Sequence, residues 1–401
     1  DVWVVDVGGT TTDIAILSRG QPRLNPRGAQ VGGWRTMVEA ADVHTVGLGG
    51  DSYVRFSDNG DLSLTRRGGQ HLAIGPQRVL PLSRLATDHP DIVAALHRQR
   101  SIDKRILLPF LGEFAMLRRD VQAPVSATDR ALLDRLQTGP VALVDLAQEE
   151  PYRTFLEERI RRLVAQQRIL RAGFTPTDAL HVLRIFGPWD TDAAEAGADL
   201  LARQWRCSRE EFARQVVTEM SNRVATALVT KVLHDEVAPP AWAEQPVAAG
   251  LLARALNAVD RTDLACTLSL RLPVVAVGAP VAAYLPATTR QLNTALVIPD
   301  EAEVANAVGA VVGSVVERAR VLIRPIDFEA AYRLHLPGNL ALEESVRDFE
   351  TLDAAISFAN EIVPPRVRTL AQRAGADHVE VHVTRDDRTG TVRGTDADDV
   401  C

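Results

Sequence analysis

Val2-Trp3-Val4-Val5-Asp6-Val7-Gly8-Gly9-Thr10-Thr11-Thr12-Asp13-Ile14-Ala15-Ile16-Leu17 is the stretch on which the fold turns. An apolar, β-branched run ends in an aspartate, two glycines and three hydroxyls, and a second run fit for a strand follows at once. A Walker loop needs Lys-Ser or Lys-Thr at a helix mouth, and none follows; a dinucleotide fingerprint needs a third glycine and a helix start. The segment therefore predicts a hairpin whose turn, Gly8–Thr11, offers backbone N–H groups and threonine hydroxyls to an anion such as phosphate. Asp6 and Asp13 have the chemistry to organise a divalent cation, directly or through water. The bland alternative is an ordinary Gly-Gly hairpin, but Asp-x-Gly-Gly-Thr-x-Thr-Asp between two apolar strands is the more specific pattern.

Working outward, Val43–Gly47, Tyr53–Ser57 and Leu62–Thr65 read as strands, with Asn59-Gly60 as a hairpin turn. Val141–Asp145 reads as a short buried strand. The apolar spacing from Thr154 to Gly173 is helical. Thr175-Pro176-Thr177-Asp178 offers a helix cap, and residues 190–236 predict two more helices, the second starting near Ser208. Val274–Gly278 and Leu296–Ile298 read as strands, Glu301–Arg320 as a long helix, and Phe349–Ala374 as a helix broken at Pro364-Pro365. Val379–Thr384 and Thr391–Arg393 read as a terminal hairpin.

Composition narrows the function classes. The chain has 401 residues, 5% aromatics and a formal net charge of −7, which fits an ordinary globular protein and disfavours nucleic-acid binding. Cys207, Cys266 and Cys401 are widely separated, so neither a disulfide framework nor a thiolate zinc site is indicated, and a reducing, cytoplasmic setting is expected. No run is long enough for a membrane span and no signal peptide is visible.

Two further constellations carry chemistry. Val274-Val275-Ala276-Val277-Gly278-Ala279-Pro280 runs a buried strand into a turn of small residues, where a flat ring can approach the backbone. A plain strand-to-helix turn is the alternative. Asp42 and His44 lie two apart, on one face of a strand, and Asp51 follows Gly49-Gly50. The three together could form a carboxylate–imidazole–carboxylate metal set or position a substrate. No Ser-His-Asp or Cys-His arrangement announces a nucleophile.

The octet Asp6–Asp13 resembles the phosphate loop of the actin, sugar-kinase and Hsp70 ATPase superfamily. Val31-Gly32-Gly33-Trp34-Arg35-Thr36 and Ala41-Asp42-Val43-His44-Thr45-Val46-Gly47-Leu48-Gly49-Gly50-Asp51-Ser52 resemble the hydantoinase A type of the hydantoinase/oxoprolinase family. The resemblance covers residues 1–56, returns over Thr175–Leu183 and again from Leu272 to Gly313. It implies an α/β protein of actin-like ATPase (ribonuclease H-like) fold, of which this chain holds the second subdomain over residues 1–320. A helical insertion is expected at about 150–236 and a small C-terminal α/β region at 321–401. It implies ATP and Mg²⁺ as cofactors, with a second divalent metal at Asp42, His44 and Asp51. Asp6 and Asp13 would be the catalytic carboxylates, Gly8, Gly9, Thr10 and Thr11 the phosphate cradle, and Gly278, Ala279 and Asn306 the adenosine contacts. Family members show more glycines where this chain has Ala279 and Pro280.

The implied activity is ATP-dependent hydrolysis of a cyclic amide, hydantoin or 5-oxoproline. The alternatives are the ATP-using subunit of an acetone-type ketone carboxylase, or an inactive family fragment with a binding role. The start at Asp1 suggests a fragment whose N-terminal region or partner subunit covers apolar surface near Trp3 and Val5. From that follow expectations of little activity alone and a tendency to oligomerise.

Overall fold

The computed structural model describes the chain except at 26–27, 29, 32–33, 36–38, 58–65, 68–69, 103–108, 119–125, 150–152, 257–262, 314, 327–330, 341–344, 388, 392–397 and 401. The expected Asn59-Gly60 turn, the Leu62–Thr65 strand, Gly32, Gly33, Thr36 and Cys401 lie outside the described residues. Two compact units are present, Asp1–Asn306 and Ala307–Cys401. The boundary expected near residue 320 falls inside the second.

The first unit is organised by a mixed sheet. Val2–Val7 alternates half-buried and buried positions, so Trp3, Val5 and Val7 share one covered face. It pairs antiparallel with Thr12–Ser18, placing Val7 opposite Thr12 and Asp6 opposite Asp13. Thr12–Ser18 in turn pairs antiparallel with Val43–Val46 and, further along, with Gln21–Pro22. On its other side Val2–Val7 pairs parallel with Val274–Val277, which pairs parallel with Leu296–Val297. Helices Arg209–Glu236 and Val281–Gln291 pack on each other and on this sheet. Trp3 is 4% exposed and Val5 0%, which corrects the expectation of bare apolar surface there: both belong to the main core cluster.

Beyond this sheet, Ser52–Ser57 and Gln70–Arg78 form an antiparallel pair. A second sheet orders Leu80–Pro81, Ile169–Gly173, Phe114–Leu117 and Val141–Ala142. The region about 150–236 is therefore not wholly helical. The helix Arg153–Ala165 stops, Gln167 takes a left-handed φ of 57°, and Ile169–Gly173 enters the sheet. The polar Gln166-Gln167-Arg168 interrupts a spacing that only looked continuous. Val141–Asp145 divides into the strand Val141–Ala142 and the helix Leu143–Glu149. Leu143, Val144, Leu146 and Ala147 are its buried positions, a helical spacing hidden in a short apolar run.

Capping is legible where it was expected. Ser208 opens Arg209–Glu236 by accepting from the Glu211 N–H. Thr175 opens Pro176–Val182 with a full capping box to Asp178.

In place of the long helix expected over Glu301–Arg320, a 3₁₀ turn at Ala302–Val304 leads into Ala305–Val312, and Gly313 follows, a residue that disfavours continuation. In the second unit, Leu322–Pro325, Tyr332–His335 and Val346–Phe349 form an antiparallel sheet. Leu352–Arg373 runs unbroken through Pro364 and Pro365. Its Phe358, Ala359, Val363, Val367 and Leu370 pack on Leu334, Leu336 and Leu340, and that apolar packing outweighs the cost of the prolines. Residues 379–384 form no strand; Thr389–Thr391 pairs instead with Asp398–Val400.

Candidate functional site

The Gly8–Thr11 turn closes the central hairpin, with the Gly8 N–H donating to the Thr11 carbonyl at 2.9 Å. Gly9 and Thr10 are exposed, and among the described residues their N–H groups meet no protein acceptor. Neither Gly8 nor Gly9 uses the left-handed region. The steric demand falls on glycines that approach them. A Cβ on Gly49 would lie 2.5 Å from the Gly9 carbonyl oxygen. Gly278 has φ +108°, and its Cβ would lie 2.2 Å from the Val7 oxygen.

A second loop supports the turn from behind. The Gly50 N–H donates to Gly8 O at 3.0 Å and the Asp51 N–H to Gly9 O at 2.7 Å. Thr177 fixes that loop, donating to Gly50 O through its N–H at 2.9 Å and its hydroxyl at 2.8 Å. Asp178, fully buried, accepts from the N–H groups of Leu82, Ser83 and Thr175 and from both neighbouring hydroxyls. Thr12 Oγ1, also buried, donates to Leu48 O at 2.7 Å. The turn therefore rests on hydrogen-bonded backbone rather than on a mobile loop.

Asp6 and Asp13 face each other at the mouth of the hairpin. Their partners are neutral: Asn306 Nδ2 donates to Asp6 at 3.2 Å, and the hydroxyls of Thr11 and Thr45 donate to Asp13. Among the described residues no basic side chain pairs with either. Burial raises the Asp6 carboxyl above its ordinary value, with Asn306 pulling the other way and the charge of Asp13 adding to the rise. Like charges directly opposite on a strand pair repel, so this pair suits an intervening cation. Mg²⁺ fits such a donor set, since it commonly takes one or two carboxylates and completes its octahedron with water and phosphate oxygens.

Gly278 and Asn306, named from the sequence as adenosine contacts, both lie beside Asp6. Val277 lies opposite Asp6 in the parallel ladder, and Gly278 N–H donates to Ala302 O at 2.7 Å. Ala279 is exposed in the same turn.

The metal set expected at Asp42, His44 and Asp51 is not assembled, and among the described residues no three His, Cys, Asp or Glu are grouped to hold an ion. Asp42 is taken up elsewhere. It accepts from Arg23 at 2.7 and 2.9 Å and from the buried Lys231 ammonium at 2.8 Å, while Lys231 and Arg23 both also hold Asp235. Burial opposes the Asp42 charge, but Lys231 and Arg23 outweigh it and hold the carboxyl below its usual range. Burial lowers the His44 pKa, as do the Lys231 and His234 charges. Asp51 lies under the turn instead, paired with Arg78 at 2.9 Å; burial raises its carboxyl, with Arg78 opposing. Sequence reading missed Arg78, Thr45 and Thr177, because their roles come from contacts between distant segments. Only Thr177 had a local signal, its place in a helix cap.

Residues 1–98 match the family described as Hydantoinase/oxoprolinase, hydantoinase A. Among solved structures, the nucleotide-free acetone carboxylase described under the mechanism of ATP-dependent acetone carboxylation is similar at 11% identity and a TM-score of 0.39. That match covers 82% of this chain and 30% of the other. No curated protein matches. The segment that forms the turn, both mouth carboxylates and the supporting loop thus bears the sequence signature of the hydantoinase/oxoprolinase family.

Proposed function

We propose that this chain is an ATP-dependent hydrolase of cyclic amides of the hydantoin or 5-oxoproline class, with an actin-like ATPase (ribonuclease H-like) core. The observation that carries this reading is the pair Asp6 and Asp13, opposed and without a basic partner among the described residues, beside a turn with open N–H groups. Bound Mg-ATP would supply a phosphoryl group to the amide oxygen, with ADP leaving; the weakly electrophilic carbonyl carbon then becomes open to attack by water, and the phosphorylated oxygen departs as phosphate while the ring C–N bond opens.

The chain's own contribution is positioning and charge. Asp6 and Asp13 hold the cation, and Asn306 orients Asp6. The N–H groups of Gly9 and Thr10 and the Thr10 hydroxyl donate to phosphate oxygens. The Gly278–Pro280 turn receives the adenosine, with Gly278 small enough to lie against Val7. No protein nucleophile is required, which agrees with the absence of a nucleophilic pair in the sequence.

Calorimetry with Mg-ATP tests the phosphate assignment. Binding is expected, and Gly9→Val is expected to abolish it, because the new side chain occupies the approach and meets Asp51, whose Oδ2 is 3.1 Å from a Cβ there. Unchanged affinity in a folded variant would overturn it. ADP release stimulated by hydantoin or 5-oxoproline supports the hydrolase. Release that requires a ketone with bicarbonate assigns the chain to carboxylation instead.

A further inference from the structure

The turn is bordered by three carboxylates, Asp6, Asp13 and Asp51, which is an unfavourable setting for an anion unless a fixed cation faces it. The Asp51 side chain borders the turn, its Oδ2 lying 3.1 Å from the position of a Cβ on Gly9. That same oxygen accepts from Arg78, Nε at 3.1 Å and Nη2 at 2.9 Å. The backbone on both sides is tied down: Asp51 N–H donates to Gly9 O at 2.7 Å, and Val79 N–H donates to Asp51 O at 3.0 Å. The guanidinium is therefore tied, through Asp51 Oδ2, to the side chain that borders the turn.

Arg78 has donors to spare. A guanidinium carries five N–H groups in a rigid fork, and Asp51 engages only Nε and one bond from Nη2. The Nη1 donors meet no protein acceptor among the described residues, and the side chain is 61% exposed while Asp51 is 14% exposed. A half-buried carboxylate gripping one edge of an exposed guanidinium leaves the other edge to solvent, the geometry of an arginine held ready for an oxyanion.

We propose that Arg78 is a basic ligand of the phosphate seated on the Gly8–Thr11 turn, and that Asp51 is its positioning residue. The assignment rests on the reading of that turn as a nucleotide-phosphate site. It makes the polyphosphate, rather than the nucleoside, the part of the substrate that Arg78 recognises.

The test measures Mg-ATP affinity by calorimetry and adenosine affinity by saturation-transfer NMR on the full chain and its variants. R78Q is expected to weaken Mg-ATP by about tenfold or more, the worth of hydrogen bonds to a charged group, and to leave adenosine unchanged. R78K is expected to recover only part of the loss, because an ammonium cannot fork. D51A is expected to weaken Mg-ATP in the unaltered chain and to cause no further loss in R78Q, since it acts through Arg78. Unchanged Mg-ATP affinity in folded R78Q overturns the assignment while leaving the turn's role to the Gly9→Val result. A parallel fall of Mg-ATP and adenosine affinity also overturns it, by showing a structural role. Absence of Mg-ATP binding by the unaltered chain removes both readings.

Discussion

The antiparallel hairpin and its Val43–Val46 neighbour carry aspartates at both ends, and the two ends treat them in opposite ways. At the far end, Asp42 is locked between Arg23 and Lys231, which both also hold Asp235. Two acids meet two bases, and Lys231 is 2% exposed. At the mouth, Asp6 and Asp13 face each other, and among the described residues only amide and hydroxyl donors reach them. One set is complete within the chain; the other, on the proposed reading, is balanced by a bound cation. A carboxylate's function is written in what it lacks as much as in where it lies.

The largest expected effect breaks the complete set. Lys231→Met removes a buried ammonium and leaves Asp42 and Asp235 sharing one guanidinium. Breaking a buried pair in this way costs about 3–5 kcal/mol, read as a lower urea midpoint at unchanged slope. Mg-ATP affinity per folded molecule should stay the same. A loss of affinity with intact stability would mean that the far end also belongs to the site.

The complementary change at the mouth is expected to do the reverse. Asp6→Asn removes one of two opposed charges from a carboxyl that burial already disfavours, so stability should change by no more than about 0.5 kcal/mol. ATP turnover at saturating nucleotide should fall on the order of 100-fold, equivalent to about 2.7 kcal/mol in the barrier. A collapse in stability with normal activity per folded molecule would make Asp6 structural and erase the contrast.

How much of this was legible depended on how far apart the interacting residues lie in the chain. The hairpin was readable because its period-2 burial and its turn lie within seventeen consecutive residues. The helix caps at Thr175 and Ser208 were readable because a cap acts on the next three residues. Gly278 could be picked out, but its reason could not: only the parallel pairing of Val274–Val277 with Val2–Val7 brings its α-carbon against the Val7 carbonyl. The spacing of Asp42 and His44 put them on one strand face without showing that Lys231, on a helix almost two hundred residues away, would claim Asp42. Arg78 and Asp51 meet for the same kind of reason, through pairing of Ser52 with Arg78 across a strand register. Helix lengths failed where tertiary packing overruled local preference, as at Pro364-Pro365.

A smaller effect sharpens the comparison from behind the turn. Thr177→Val removes the hydroxyl bond to Gly50 O but keeps the backbone N–H bond. The loss is about 1 kcal/mol, that of one ordinary hydrogen bond. Because Gly50 donates to Gly8, the turn should loosen and Mg-ATP affinity should fall several-fold, with Thr177→Ser restoring it. An equal loss in the serine variant would show that the methyl contact, not the hydroxyl, holds the loop.

The smallest expected effect concerns pH at the complete end. His44 Nε2 is buried and meets no hydrogen-bond partner among the described residues. Burial lowers the ring's pKa below its ordinary 6.5, with Lys231 and His234 adding to the fall and Asp235 and Asp42 opposing it. A base whose pKa is depressed on folding binds fewer protons in the native state than in the unfolded one. It contributes nothing where both states are neutral, and it costs stability progressively as pH drops below the unfolded value. The melting temperature should therefore decline between about pH 8 and about pH 5.5, and His44→Phe, which cannot titrate, should flatten part of that decline. Asp42 cannot produce the trend in this window, because its depressed carboxyl contributes stability that is lost only as pH falls below the ordinary 3.8. An identical pH profile in the two proteins would mean that His44 keeps its proton at no cost, and that the paired end of the sheet is open enough to solvate it.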